Sequence, residues 1–325
     1  MKKIFAVLLA AIMVLSLAAC NSGGDVGGDS GSDAIKVGIV LANADEFTQK
    51  LEGFYKSYAP DYNIEPIITN AGGDSSTQLA DMESVIAQNP DVIIIRSVDA
   101  QTGDALCEMA EAASIPVLID ESAPDTATSY AVVFTGKQTT HGEMIGTAIM
   151  NYLDEHPGET LYLGYINGGT SDFVRGRMTG IFTTAAPALD DGRLVFNEEV
   201  GDKLGSWSAT TAAEITEAWL TSNPEINVIA CANDEMALGV IETLETAGVL
   251  DRFLVFGVDG TEAGQAAIRA GKLTGTTFQD SRIAVNVIYE YAVKIYNGET
   301  FNAVTVDPKI ISYMDIDTID DLLGQ

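Results

Sequence analysis

Short apolar runs recur along the chain, and each is followed by a stretch with amphipathic helical spacing. The runs are Ile35–Leu41, Ile64–Thr69, Val92–Ile95, Ile115–Ile119, Val132–Phe134, Leu161–Ile166, Val195–Val200, Val228–Ala230, Phe253–Val258 and Leu273–Phe278. Runs such as Val92–Ile95 lack the alternation of polar and apolar residues, which is typical of parallel strands buried on both faces. The pattern therefore predicts an α/β fold.

The stretches between these runs carry helix signals. Three helices are predicted from Ser75 or Ser76 to Asn89-Pro90, from Asn233-Asp234 to Gly248, and from about Asp280 to Gly298. So many strand and helix units exceed what one open sheet usually carries, so we predict two doubly wound, Rossmann-like parallel-sheet lobes. A single closed barrel of eight units is the alternative fold. The polar gap without a helix between Ile115–Ile119 and Val132–Phe134 favours a crossing between two lobes.

The first residues have the pattern of an export signal. Lys2 and Lys3 precede an apolar run from Ile4 to Leu17 and then Leu17-Ala18-Ala19-Cys20. An apolar run of about 14 residues suits a secretory signal, because a spanning helix needs about 20. We predict that residues 1–19 are a signal peptide.

The end of this signal, Leu-Ala-Ala-Cys, resembles the bacterial lipobox, in which the cysteine becomes the lipidated first residue. We therefore expect Cys20 to carry a membrane anchor outside the cytoplasm, followed by a flexible linker rich in Gly, Ser and Asp over residues 20–34. A plain signal with an unrelated cysteine is the alternative. Cys107 and Cys231 fall in separate units, a helix and a strand, so we expect two buried free thiols.

The charge excludes several kinds of partner. The 325 residues include 17 Lys and Arg, 47 Asp and Glu and two His, which gives a net charge of -30. Phosphate backbones and anionic lipid surfaces would be repelled by such a surface, so we expect no nucleic-acid partner. Two histidines leave little for a His-rich metal site, and we expect neither a metal nor a cofactor.

Polar and aromatic side chains follow the predicted strands, where open α/β sheets bind their ligands. They are Asp45, Phe47, Asp120, Glu121, Arg175, Arg177, Trp207, Asn233, Asp234, Asp259 and Gln279. Planar polar groups engage neighbouring hydroxyls and aromatic faces cover the C–H side of a sugar ring, so the set matches a neutral polyol. Taken singly, Asn233, Asp234, Asp259 and Asp280 are more often helix caps, and Phe47 and Trp207 are as often core residues as ligand contacts.

Catalytic motifs are missing from the folded region. It has no Gly-x-Ser-x-Gly, no His-Glu-x-x-His, no Gly-x-x-x-x-Gly-Lys and no Gly-x-Gly-x-x-Gly. His141 and His156 have no Ser or Cys nucleophile at a meaningful spacing. We therefore predict a protein that is not an enzyme, with a surface glycosidase as the alternative from a different class.

Four segments resemble the type I periplasmic sugar-binding proteins, close to the ribose-binding and galactose/glucose-binding members. These segments are Val228–Gly239, Val255–Gly260, Gly271–Leu273 and Thr276–Gln279, within a resemblance that covers about Ile35 to Tyr313. The resemblance implies that Asp45, Arg177, Asn233, Asp259 and Gln279 hydrogen-bond a sugar and that Phe47 and Trp207 stack on it. It also places either Glu121, by gap-free alignment, or Asp120 in the site.

Two departures from the family argue against assuming ribose. Lys137-Gln138 replaces the usual Asp-Asn or Asp-Ser near the lobe crossing, and Ser122 stands where ribose-type members have an Arg. The family implies a monosaccharide ligand, an ABC importer permease as partner, and a monomer. The same fold binding a nucleoside, an amine or a furanosyl signalling molecule is the alternative.

The resemblance also implies a division into lobes. The N-terminal lobe would comprise residues 35–136 and 280–308, and the C-terminal lobe residues 137–279 and 309–325. Three crossings near Lys137, Gln279 and Pro308 would form a hinge that closes over the ligand.

Overall fold

The computed structural model describes residues 34–120, 131–134, 137–169, 172–300, 304–305 and 311–323. The predicted Cys20 and Glu121 lie outside these residues. Within them, the strands are β1 Ile35–Leu41, β2 Ile64–Asn70, β3 Val92–Ile95, β4 Val117–Asp120, β5 Ala131–Phe134, β6 Leu161–Asn167, β7 Leu194–Val195, β8 Asp202–Leu204, β9 Val228–Cys231, β10 Leu254–Asp259, β11 Gly275–Gln279, β12 Val304–Thr305 and β13 Ile311–Met314. The helices are α1 Glu46–Tyr58, α2 Ser75–Ile86, α3 Ala100–Ala112, α4 Gln138–Glu155, α5 Asp172–Thr184, α6 Ala186–Asp191, α7 Glu198–Gly201, α8 Ala209–Ser222, α9 Asp234–Thr246, α10 Glu262–Arg269, α11 Ser281–Tyr296 and α12 Ile319–Leu323.

The strands of the described residues form two sheets. The first is wholly parallel, in the order β12-β5-β4-β3-β1-β2, and the second has the order β13-β11-β10-β9-β6-β7, with β8 also paired to β6. Only β13 runs antiparallel to its neighbour among the described pairs. The predicted fold class of two doubly wound parallel sheets is confirmed, and the single closed barrel is wrong.

In the order of the described strands, the chain passes between the sheets three times. It leaves the first sheet after β5, returns after β11 through α11 to β12, and leaves again to β13. Each sheet therefore contains strands from widely separated parts of the chain.

Helices cover both faces of the first sheet, and its strands β1 and β3 are almost entirely buried. Alternate residues of β1 and β3 point in opposite directions: Val37 and Ile94 pack with α1 and α11, whereas Val40 and Ile93 pack with α2 and α3. The second sheet has a core of its own, in which Tyr165, Trp219 and Phe256 are among the largest buried side chains.

The segment predicted as a strand at Val195–Val200 folds differently. The strand β7 ends at Val195, and α7 begins at Glu198 because Asn197 caps it by accepting a hydrogen bond from the Glu199 amide at 3.1 Å. The segment is therefore a two-residue strand followed by a helical turn. The strands β8, β12 and β13 were not predicted.

The helices α4 and α5 pack at unusually short distance. A Cβ atom at Gly142 would collide with the Arg177 carbonyl, and one at Gly180 would collide with the Thr139 carbonyl. These glycines let the two backbones touch, and the contact fixes the position of Arg177 on α5.

Candidate ligand-binding site

A cavity of about 210 Å³ lies beyond the carboxyl ends of strands from both sheets. Its lining residues are Asp45, Glu46, Phe47, Asn233, Glu235, Leu238, Asp259 and Thr261. The first three follow β1, and the others follow or end β9 and β10. Four of the residues predicted from the sequence, Asp45, Phe47, Asn233 and Asp259, therefore meet in one place.

Asp45 and Phe47 are held by the start of α1. One carboxylate oxygen of Asp45 accepts a hydrogen bond from the Thr48 amide at 2.7 Å, so this residue is indeed a helix cap. A carboxylate has two oxygens with several lone pairs, so capping does not use up its capacity to accept hydrogen bonds. Phe47 is half-buried, and the Arg96 guanidinium lies 5.3 Å from the centre of its ring.

Asp120 lies behind Phe47 and does not line the cavity. It ends β4, is 1% exposed, and pairs with Arg96 at 3.1 Å between Nη1 and Oδ2. The Tyr55 hydroxyl donates to the same oxygen at 3.4 Å, and burial, followed by the charge of Asp120, raises the pKa of Tyr55. Asp120 thus orients the cation that covers Phe47.

Asn233 has a divided role. Its side-chain oxygen accepts a hydrogen bond from the Met236 amide at 2.9 Å and caps α9, while its amide group remains a donor beside the cavity. It is 3% exposed.

Asp259 ends β10 in a strained conformation. Its φ is 110°, in the region that favours glycine, and its carboxylate has no hydrogen-bond partner among the described residues. Burial raises the pKa of this carboxyl well above its ordinary value, against the lowering effect of the Arg177 charge. The interpretation of Asp259 as a helix cap is wrong, because Thr261 caps α10.

Arg177 and Trp207 lie together but are not part of the cavity lining. The Arg177 guanidinium donates to Gln138 at 2.6 Å and to the Ala232 carbonyl, and it lies 5.7 Å from the centre of the Trp207 ring. Trp207 lies just before α8 with a φ of 60°, and the next residue, Ser208, caps that helix.

Arg175 is held by a half-buried carboxylate. Its guanidinium forms an ion pair with Asp202 at 2.9 Å. For Gln279, the structure gives only the backbone at the end of β11, so its predicted contact stays a prediction.

Comparison with known proteins identifies the family to which this fold of two sheets belongs. The family model described as a periplasmic binding protein domain matches residues 37–300. The chain belongs to the periplasmic binding protein family. The predicted membership of its type I sugar-binding branch is confirmed by the relatives and the structural neighbours.

The chain is similar to several proteins that are named as binding proteins. It is 27% identical over 302 residues to a xylitol-binding protein of Mycolicibacterium smegmatis, covering 91% of this chain and 81% of the relative. It is also 27% identical over 266 residues to a ribose import binding protein of Bacillus subtilis, covering 82% of both.

A solved structure of a solute-binding protein has a similar fold. It is an ABC transporter solute-binding protein of Bacillus halodurans with bound myo-inositol, with a TM-score of 0.77 and 26% identity, covering 91% of this chain and 99% of the other.

Several residues at the site were not predicted from the sequence. Arg96 follows β3 directly and satisfies the strand-end rule, so that rule would have found it. Glu46, Glu235 and Thr261 also follow strands within a few residues but were not singled out, and Leu238 lies further along α9.

Asp234 supports the site from behind it. It is fully buried and accepts hydrogen bonds from the Thr261 amide at 2.8 Å, the Thr261 hydroxyl at 3.1 Å and the Thr276 hydroxyl at 2.6 Å. Burial raises its pKa to about 6, because these hydrogen bonds only partly offset the loss of water. The contacts fix the start of α10 at the cavity wall.

Neither a metal-binding group nor a membrane span is found in the part of the chain that the structure describes. No group of three or more His, Cys, Asp or Glu residues there is arranged to hold a metal ion. No described helix is long and apolar enough to cross a membrane. Cys107 and Cys231 are buried and unbonded, as expected.

Proposed function

We propose that this protein is an extracytoplasmic solute-binding lipoprotein that captures a monosaccharide between its lobes and delivers it to an ABC importer. The observation that carries the proposal is the cavity at the strand ends. Asp45 and Phe47 from the side of the first sheet face Asn233 and Asp259 from the side of the second. Carboxylates accept and the amide donates hydrogen bonds, and a ring offers a flat apolar surface, which together suit a small polyhydroxylated ring.

The cavity volume supports a small solute. Pockets for drug-sized ligands usually measure about 300 to 1,000 Å³, and this one measures about 210 Å³. The relatives named for xylitol and ribose, and the structure with bound myo-inositol, all concern small polyols. We extend that ligand class to this chain, with the lobe boundaries and the three-crossing hinge given in Sequence analysis.

The remaining predicted contacts complete the proposal. Arg177, Trp207, Gln279 and either Asp120 or Glu121 would contact the solute as the family resemblance implies. In the described conformation Asp120 acts through Arg96, which favours Glu121 for the direct contact. The protein would act as a monomer, without catalysis and without a cofactor.

A melting-temperature screen tests the ligand class. Ribose, xylose, glucose, xylitol and myo-inositol are compared with nucleosides and with amines at equal concentration. A ligand at 100 times its dissociation constant stabilises the folded protein by about 2.7 kcal/mol. Stabilisation by a neutral polyol supports the proposal, whereas stabilisation only by a nucleoside or an amine contradicts it. Release of the aglycone from an aryl glycoside would favour the glycosidase instead.

A second experiment tests the anchor. The full-length chain is expressed in a bacterium beside its Cys20→Ser variant, which keeps the apolar export signal. We expect the unchanged protein in the membrane fraction with attached lipid and the variant without lipid. Equal lipid labelling of both proteins would contradict the role of Cys20.

A further inference from the structure

A hydrogen bond connects the two sides of the cleft. The Glu262 amide, at the first residue of α10, donates to the Glu46 carboxylate at 2.8 Å, although the two residues are 216 positions apart. Glu46 begins α1, which packs with α11 on the first sheet, whereas α10 packs with α9 beside the second. The bond therefore joins the two lobes directly.

The partners of this bond are well matched. The first amides of a helix have no acceptor within the helix, and its N-terminus attracts negative charge. The Thr261 hydroxyl oxygen accepts a hydrogen bond from the Gly264 amide at 3.0 Å, so the helix cap does not accept from the Glu262 amide. Asp234 holds Thr261 in place, so the Glu262 amide is presented in a fixed direction. The acceptor of the Glu262 amide is the Glu46 carboxylate, on the opposite side of the cleft.

We propose that Glu46 is a closing contact: its carboxylate binds the N-terminus of α10 when the lobes close and so slows the release of a bound solute. The inference rests on the proposed function, in which the cleft opens and closes around a solute. It assigns to Glu46 a role in positioning the lobes, which differs from the ligand contacts proposed for Asp45 and Phe47.

The donor can be removed without touching the cavity side chains. Glu262 is the first residue of α10, where proline is well accepted because its fixed φ suits the helix and its missing N–H needs no helical partner. Thr261 has φ −63° and ψ 161°, an extended conformation that a following proline allows. Glu262→Pro therefore deletes the N–H, and Glu262→Ala is the matched control that keeps it. Glu46→Ala deletes the acceptor.

The experiment measures closure directly. Spin labels are attached at Ser57→Cys on α1 and Thr246→Cys on α9, both exposed, and the distance distribution is recorded without solute and with the best sugar of the screen. Stopped-flow measurements give the release rate of that sugar. Melting curves establish that each variant is folded.

We expect Glu262→Pro and Glu46→Ala each to lower the closed-to-open ratio and to speed release by about tenfold, in line with a hydrogen bond to a charged group. The double variant should be no worse than either single one, and Glu262→Ala should match the unchanged protein. A Glu262→Pro variant that behaves like Glu262→Ala, in distances and in release, would overturn the proposal.

The two proposals fail in different ways. If no polyol binds, the proposed function fails, and the distances without solute still decide the role of Glu46. If a polyol binds but the lobe distances are the same in all variants, the closing contact is wrong and the proposed function stands.

Discussion

At the scale of single residues, Asp259 has the features typical of a side chain that binds a ligand. Its backbone is strained, its carboxylate lies at the cavity without a described hydrogen-bond partner, and burial raises its pKa. Strain and unsatisfied polar groups persist at sites where a ligand uses them. This combination supports its proposed role more strongly than its position after a strand does.

Replacing Asp259 by alanine should weaken binding of the best sugar by roughly 10²- to 10⁴-fold, because a buried hydroxyl of the ligand loses its acceptor. Titration calorimetry measures the change. Asp251→Ala, which removes an exposed carboxylate outside the cavity lining, is the control and should leave affinity unchanged. Unaltered affinity in the Asp259→Ala protein would rule out the assigned contact.

Asp234 should make folding stability depend on pH. Its pKa is about 6 in the folded protein and 3.8 ordinarily, so the folded state holds the proton more tightly. Its contribution to stability is therefore complete below about pH 4 and is lost as the pH rises through 6, a change of roughly 3 kcal/mol.

Asp234→Asn cannot titrate and isolates this effect. The free energy of unfolding from urea titrations at pH 4.5 and pH 7.5 should fall further in the unchanged protein than in the variant. The other titrating groups are common to both proteins and cancel in the difference. Parallel pH curves would show that Asp234 does not titrate in this range.

The predictability of the site follows from where each side chain obtains its position. Asp45, Phe47, Asn233 and Asp259 stand next to strand ends, a local property that the sequence displays. Arg96 has the same property and could have been found. Glu46 and Glu235 also lie near strand ends, but their contacts depend on how α1 faces α9 and α10 across the cleft, which no local pattern encodes.

At the scale of elements, the contact of α4 with α5 is the most sensitive to side-chain size. Gly142→Ala should destabilise the protein by about 1 to 3 kcal/mol, because the new methyl group meets the Arg177 backbone. The shift of α5 should also weaken sugar binding if Arg177 contributes. Chemical denaturation and calorimetry measure the two effects.

Gly53→Ala in α1 is the matched control. A Cβ at Gly53 meets nothing within 4 Å, and glycine inside a helix costs about 0.5 to 1 kcal/mol relative to alanine. This variant should therefore be slightly more stable than the unchanged protein. A stable Gly142→Ala protein would mean that the two helices adjust freely.

Strands and helices were predictable where burial imposes a clear pattern. The runs at β1 and β3 match the structure at both ends, because continuous apolar residues belong to strands covered on two faces. The run Val195–Val200 misled because its polar centre is a capped turn. The strands β12 and β13 depend on partners far away in the chain, so their own residues gave little indication.

At the scale of the whole molecule, the described conformation brings like charges together across the cleft. Glu235 on α9 faces Asp45 and Glu46 at the start of α1, and burial and then these two charges raise its pKa. The described conformation therefore holds a proton on Glu235 more tightly than an exposed glutamate would. A fall in pH should favour closure over the range above the ordinary pKa of 4.5.

Glu235→Gln should favour closure at neutral pH and tighten sugar binding by a few-fold, because the repulsion is removed. The dissociation constant is measured between pH 5 and pH 7, where the variant should show less dependence on pH than the unchanged protein. Glu242→Gln, an exposed change on the same helix, serves as the control. Weaker binding by Glu235→Gln would instead identify Glu235 as a contact of the sugar.

The interleaved course of the chain has a consequence for how the protein folds during synthesis. The helix α11 supplies Val285, Ile288 and Tyr289 to the core on one face of the first sheet, and β12 adds its outer strand, yet both come after nearly all of the second sheet. A nascent chain that stops before residue 281 lacks this cover. The half that begins first is thus finished late, and we expect the growing polypeptide to stay unfolded until then, which would suit the export proposed above.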